Sequence, residues 1–564
     1  MNLDLGGEQR SEEPGGQADR RETDVDFPLL IHVLGEPFVK WILVAPFELP
    51  SPGQLEVAAA LTRFVREGSA DHSGRSADLV GMRLSFYVPA WNATFVEGLR
   101  QRAGGQPAEA EASEDDLQNA VVDLAAQSYG QLLLPAGFTG PSLSANLMSP
   151  AGARVVAAVR ADGIFPGADD DWGSESIVLG TTLGTAQGQQ AAIFGNHVLL
   201  AAWDAVRLRV EGPTLEEYLS AVRQMLTQTR ALLRGEEVLV PSLVGFTGIV
   251  VDQDVEVVGS WGRLRSARPS DLPSFASSMS ERRINTTTET GEHIEITDAG
   301  DVVLETRIPY RVRIQSPDEM IMEGTTTVGL EALVEQARIC LALSWDGDQI
   351  PVVLPTWRRT ISFMTSSIGY WTDPQHSAPR HPTKATRAQM DAWGSWLGTV
   401  DTEALSHVRL AATRTLRALT ERRVQDDMLI DAVIAWESLF GAKTESTLRV
   451  SGALACLLYP PGADREAAQK RYSKIYNSRS EIVHASLTKK TTPEVIAENA
   501  REAAQVAIRA LRAILDTRRD LITLDSASRG LQLLLEGSFP QAADAETLTS
   551  EAASGDGSAI DANG

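Results

Sequence analysis

Leu429-Ile-Asp-Ala-Val-Ile-Ala-Trp-Glu-Ser-Leu-Phe440 places Leu429, Val433, Trp436 and Phe440 at steps of three and four residues. That spacing returns to one side of a helix, so the segment reads as the buried stripe of a bundle helix. Working outward, helices are expected at about 386–397, 402–423, 425–440, 446–459, 464–486, 493–517 and 526–536. The punctuation agrees. Pro460-Pro-Gly462 stops one helix, because proline cannot supply the next backbone donor. Thr492-Pro493 starts another, because a proline at the first helical position loses no intrahelical bond.

Upstream the pattern changes. His376-Ser-Ala-Pro-Arg-His-Pro-Thr-Lys384 is a proline-punctuated loop between the helices and a mixed region over about 26–385. Strand-like runs there are Ala153–Val159, Val206–Val210, Gly248–Val258 and Val302–Ile314, rich in β-branched residues. Helical stretches are Leu55–Arg66, Glu114–Leu133, Thr214–Leu233 and Leu330–Leu343. Asp298-Ala-Gly-Asp301 reads as a hairpin turn between His293–Thr297 and Val302–Thr306. The polar run Ser266–Thr290 reads as an internal linker.

The expected fold class is therefore α+β and multidomain. A mixed α/β domain spans 26–265, and 266–385 is a second mixed region or its continuation. An all-α bundle follows over 386–537, and residues 1–25 and 538–564 are polar termini expected to be disordered. No apolar run reaches the roughly 18 residues that a membrane helix needs, so no membrane partner is expected. The acidic start lacks the pattern of a signal peptide, and the reading is cytoplasmic. Cys340 and Cys456, the only cysteines, read as buried free thiols, and neither zinc-site spacing nor a cofactor motif is present. Asp169-Asp-Asp-Trp172 reads as a solvated acidic loop, and His376 and His381 as surface residues. Gly180-Thr-Thr-Leu-Gly184 and Gly245-Phe-Thr-Gly248 lack the lysine of a phosphate loop.

A net charge of −24 argues at first against a nucleic-acid partner, but its distribution is uneven. Residues 401–530 hold 20 basic and 17 acidic side chains, which leaves 31 basic against 58 acidic elsewhere. Five of the seven lysines (Lys443, Lys470, Lys474, Lys489 and Lys490) fall between 443 and 490, with Arg471 among them. They surround Tyr476-Asn-Ser-Arg479-Ser-Glu-Ile-Val-His484. Clustered positive charge suits a polyanion, and Tyr472 and Tyr476 could stack on bases or belong to the core.

Taken in order, Leu429–Phe440, Thr447-Leu-Arg-Val-Ser-Gly-Ala-Leu-Ala455 and the Tyr476–His484 segment resemble the Apea-like branch of the HEPN family, over some 120–150 residues. The resemblance implies a helical bundle that forms a homodimer and brings two Arg/His pairs into one cleft. Many such domains are metal-independent endoribonucleases of defence or growth-arrest systems. Carried onto this chain, Arg479 would bind the scissile phosphate and His484 would transfer protons. Asn477, Ser480 and Glu481 would support them, and Glu437, a carboxylate within an apolar helix that needs a partner, is expected to pack or hydrogen-bond against the motif helix. Lys470, Arg471, Lys474, Tyr476, Lys489 and Lys490 would hold RNA, and the N-terminal region would sense an unidentified trigger.

The residue chemistry is compatible with those roles. A guanidinium is a fixed fork of donors suited to phosphate oxygens, and an imidazole exchanges protons near neutrality. Ser480 stands where such nucleases commonly carry an ionisable or amide side chain, and a hydroxyl can only hydrogen-bond. A second reading therefore stands beside the first. In it, Arg479 and His484 hold a non-catalytic dimerisation or interaction module attached to a ligand- or protein-binding N-terminal region.

Overall fold

The computed structural model describes residues 25–46, 49–69, 76–107, 113–135, 149–164, 177–181, 186–189, 191–273, 283–287, 293–297, 301–315, 328–346, 350–364, 369–370, 382–442, 446–484 and 492–536. The fold is α+β and rich in helix. The expected disordered termini, the acidic loop at 169–172 and the histidines at 376 and 381 lie outside these residues.

Helices come first. α1 (Phe27–Leu34), α2 (Glu36–Ile42), α3 (Pro52–Ser69), α4 (Ser76–Ser85) and α5 (Phe95–Arg102) enclose a small core of Leu30, Phe38, Leu61 and Leu99, among others. Between α4 and α5, β1 (Tyr87–Val88) pairs with β2 (Ala93–Thr94). α6 (Asp116–Leu132), α7 (Pro150–Asp162), α8 (Ala191–Arg207) and α9 (Leu215–Leu233) then pack on one another. Two expected strands do not form. Ala153–Val159 lies inside α7, where Ser149 accepts the Gly152 amide and Pro150 opens the first turn. Those end signals and the four-residue spacing of Ala151, Val155 and Val159 outweigh the β-branched content. Val206–Val210 begins in the last turn of α8, and the Val206 carbonyl accepts the Arg209 and Val210 amides in the turn beyond.

The sheet follows. β5 (Val238–Thr247), β7 (Glu256–Gly259), β8 (Gly262–Ser266), β11 (Val302–Tyr310), β13 (Leu354–Thr360) and β14 (Gly369–Tyr370) form six antiparallel strands in the order β14-β13-β5-β11-β8-β7. β11 is flanked by β5 and β8, and β10 (His293–Thr297) pairs with β9 (Arg283–Thr287). The hairpin expected between 293–297 and 302–306 is thus not formed: the longer apolar register with β5 takes β11. β6 (Ile249–Val250) pairs with β15 (Thr383–Lys384), and β12 (Val312–Gln315) joins β3 (Ile177–Thr181) and β4 (Ala186–Gln189). Strands from both sides of residue 266 share the large sheet. Gly245 lies beneath the Trp357 indole: a Cβ there would stand 2.1 Å from Trp357 Nε1, so its role is close packing.

The remaining helices are α10 (Val328–Ser344), α11 (Arg387–Thr399), α12 (Thr402–Leu416), α13 (Gln425–Phe440), α14 (Ser446–Leu458), α15 (Ala463–Val483), α16 (Pro493–Leu515) and α17 (Ser526–Glu536). A π-helical turn at Arg417–Glu421 follows α12. α13 is central, touching α12, α14, α15, α16 and α17. Its expected stripe is buried, and Trp436 Nε1 donates 3.1 Å to the Ala503 carbonyl. α10 packs on α11, α12 and α16, so one hydrophobic core runs from α6 through the sheet into the last helices. No helix among the described residues is long and apolar enough to cross a membrane. Cys340 and Cys456 are free thiols, and burial pushes the Cys340 thiol up.

One buried ion pair joins sheet to helices. Arg359 of β13 and Asp204 of α8, each 1% exposed, are hydrogen-bonded, and Arg359 Nη1 donates 2.9 Å to the Asp271 carbonyl. Asp271 in turn receives Arg265 of β8 at 2.8 and 2.5 Å. Replacing Asp204 by Asn strands the Arg359 charge in the core and should destabilise the fold by roughly 3–5 kcal/mol. The fall in urea midpoint measures it. A double change, Asp204→Leu with Arg359→Met, should recover much of the loss.

Candidate functional site

Glu437 sits on α13, a helix whose neighbouring positions are apolar. A carboxylate carried into such surroundings needs donors. α15 supplies two of them from successive turns. Tyr476 Oη donates to Glu437 Oε1 at 2.5 Å, and Arg479 Nη2 donates to Oε2 at 3.5 Å. Glu437 and Arg479 are 29% and 23% exposed. Burial and the bond to Glu437 push the Tyr476 hydroxyl up to about 12, so it remains a donor throughout the neutral range.

Arg479 is only loosely held. Its one bond to Glu437 is at the long limit, and its buried Nε has no hydrogen-bond partner among the described residues. A guanidinium offers five N–H donors, and leaving a buried one unmet costs about 1–3 kcal/mol. The fork is therefore anchored at one corner, and with 23% of the side chain exposed it keeps donors for a further acceptor.

His484 caps the C-terminal end of α15, its amide bonded 3.1 Å to the Ser480 carbonyl and its side chain exposed. Five residues of α-helix amount to about 140° around the axis and about 7.5 Å along it. Arg479 thus turns inward to α13 while His484 faces outward. Lys470, Lys474, Asn477 and His484 are all exposed. By helical angle they share a sector of about 80°. The structure gathers the expected residues into two groups: Tyr476, Arg479 and Glu437 inside, and the Lys470–His484 stripe outside.

The remaining expected residues are placed as follows. Arg471 is engaged by Glu502 of α16, with Nε donating at 2.8 Å. Tyr472 is buried against Trp436, ring centres 5.6 Å apart, so it belongs to the core. Ser480 and Glu481 are half-buried, and Lys443, Lys489 and Lys490 lie outside the described residues. Two residues of α16 were not singled out in the sequence. Asn499 donates 2.9 Å to Ser478, locking α15 to α16 beside the motif, and Glu502 neutralises Arg471. Glu498 and Glu502, four apart opposite a basic helix, were the available signal. Among the described residues no cluster of His, Cys, Asp or Glu could hold a metal ion.

Comparison of the chain with family models, with curated proteins and with solved structures yields no match.

Tyr476→Phe should cost about 0.5–1.5 kcal/mol in chemical denaturation, the usual worth of one hydrogen bond. Its sign with pH follows from the raised hydroxyl. The stabilisation is complete below the ordinary tyrosine value near pH 10 and is lost as pH rises towards about 12. The variant's stability should consequently fall less steeply across that alkaline window than the wild type's.

Proposed function

We propose that the protein is a metal-independent endoribonuclease of the HEPN type, an effector of a defence or growth-arrest response, with the region before α11 as sensor and regulator. The observation that carries this reading is Arg479: a half-buried guanidinium held at one corner by Glu437, with a buried donor still unmet. A phosphate oxygen is the acceptor that such a fork suits best. An exposed imidazole one and a half turns further along the helix would provide proton transfer to and from ribose and leaving-group oxygens.

Because Arg479 and His484 diverge by about 140° on α15, one chain does not aim both at the same phosphate. A homodimer would resolve this by setting His484 of one copy against the Arg479 side of the other. The exposed stripe of Lys470, Lys474 and Asn477 beside His484 would then track the RNA backbone. Ser480, half-buried after Arg479, would position water or phosphate by hydrogen bonding.

The competing reading is a non-catalytic dimerisation or interaction module serving a ligand- or protein-binding N-terminal region. The bond from Arg479 to Glu437 favours it, since with the Tyr476 bond to the same carboxylate it joins α15 to α13 without any ligand.

RNA cleavage in EDTA by the full chain separates the two. The whole chain is the proper sample, because α10 packs on α11, α12 and α16 and a fragment beginning near 385 would strip that helix away. Wild-type protein should cleave, and His484→Ala should lose activity by about 10²–10⁴, the usual weight of a general acid–base group. Arg479→Ala should fall by a comparable factor of about 10²–10³. Intact RNA after incubation with folded wild type, or equal cleavage by His484→Ala, would leave the interaction-module reading in possession.

A further inference from the structure

A cavity of about 470 Å³ opens where the C-terminal end of α8 meets the β8 end of the large sheet. Its walls include Arg207 and Arg209 from the α8 end, Glu211 and Gly212 from the following turn, and Arg268 and Ser270 beyond β8. Three arginines and one glutamate line it; Arg207 and Arg268 each lie beside a carboxylate, Asp204 and Glu256, and among the described residues Arg209 does not.

We infer that this cavity binds a compact polyanion, a small molecule carrying phosphate or several carboxylate groups. The inference stands apart from the nuclease reading and concerns the other half of the molecule.

The first support is the state of Arg207. It stands 3.6 Å from Asp204 Oδ1, while the other oxygen of that carboxylate is already taken by Arg359. Arg207 Nη1 is buried and has no hydrogen-bond partner among the described residues. Arg207 lines the cavity and shares its carboxylate with Arg359, so its guanidinium keeps further donors that an incoming oxyanion could take.

The second support is convergence from separate parts of the chain. Arginines at the end of a helix can be explained by the negative potential of its carbonyls, and that alone would account for Arg207 and Arg209. It does not account for Arg268, which reaches the same cavity from beyond β8. Arg268 is placed by Asp271, whose Oδ2 accepts its amide at 2.7 Å, and its guanidinium is steadied by Glu256 at 3.2 Å. Arg209 is exposed and forms no ion pair among the described residues. Gly212, at φ +65, turns the chain away from the mouth in a conformation few other residues adopt.

Size and charge decide the kind of ligand. A volume of this order lies within the usual small-molecule range of about 300–1,000 Å³. Among the described residues no aromatic side chain lines the wall to stack on a base. An extended nucleic acid would also meet a chain that carries 58 acidic against 31 basic side chains outside residues 401–530, whereas a compact anion meets only the local arginines.

The test is isothermal titration of the full chain at fixed ionic strength, with inorganic pyrophosphate and citrate as separate probes. Saturable binding of either at or below millimolar concentration is expected. Binding of pyrophosphate alone assigns the site to phosphoryl groups, and citrate alone to polycarboxylates. Arg209→Glu and Arg268→Glu, both exposed, should each weaken binding by about tenfold or more, equivalent to roughly 1.4 kcal/mol. Arg160→Glu, an equal charge change on the exposed face of α7, should leave it unchanged. No saturable binding of either probe overturns the proposal, as does equal weakening by Arg160→Glu. Displacement of both probes by single-stranded RNA at lower concentration would also overturn it in favour of a nucleic-acid surface.

Discussion

A charge brought into this core must be met there, and that requirement fixes how its layers sit. Asp204 and Arg359 are both fully buried, and Arg359 reaches on to the carbonyl of Asp271. Helix α8, strand β13 and the turn after β8 can therefore be joined in only one arrangement. The last helices repeat the device. Asp431 of α13, 2% exposed, receives Arg414 and Arg422 at 2.5 Å each and pins α13 to the end of α12. Arg529, also buried, donates to the carbonyls of Leu439, Leu521, Ile522 and Leu524 and closes the C-terminal end of α13. Such groups contribute less to net stability than apolar packing of the same volume would. What they add is a large penalty for any other arrangement.

The same rule applies at the α13–α15 contact. Glu437 obeys it, with two donors. Arg479 does so incompletely, since one long bond leaves a buried N–H unmet. Other buried arginines share the shortfall: among the described residues Arg265 and Arg359 each leave a buried Nε unmet, whereas Arg529 is used nearly to capacity. Arg479 differs from them in position, since its side chain is 23% exposed where those of Arg265 and Arg359 are each 1% exposed.

Much of the helical half was legible in the sequence because its signals are local. The stripe of Leu429, Val433, Trp436 and Phe440, the stop at Pro460-Pro-Gly462 and the start at Thr492-Pro493 each report on neighbours within one or two turns. The sheet was less legible because strand pairing is not local. Val302–Ile314 reads correctly as extended, yet nothing in it announces β5 and β8 as its partners in place of β10. Ala153–Val159 misled for a related reason: β-branched content is a weak preference, and the cap at Ser149 with Pro150 overrode it. At the site, the Tyr476–His484 motif was visible. The inward turn of Arg479 was foreseeable from helical angle, and Glu437, a carboxylate on an apolar helix, was expected to need a partner on the motif helix; that Tyr476 as well as Arg479 supplies it is settled only by α13 packing on α15.

The arginine cavity marks where sequence reasoning stops. Arg207 and Arg268 are 61 positions apart, and each taken singly reads as an ordinary surface cation. They converge because the Asp204–Arg359–Asp271 chain holds the end of α8 against the turn after β8. The buried ion pair that fixes the layers therefore also builds the cavity mouth. A ligand satisfying Arg207 would draw on the same Asp204 that neutralises Arg359. Through that shared carboxylate the cavity is electrostatically continuous with β13 and the sheet, and the sheet shares one core with α10 to α17. A two-state element linking pocket to Arg479 is a separate requirement that continuity alone does not meet. The shared carboxylate identifies where such an element would have to begin.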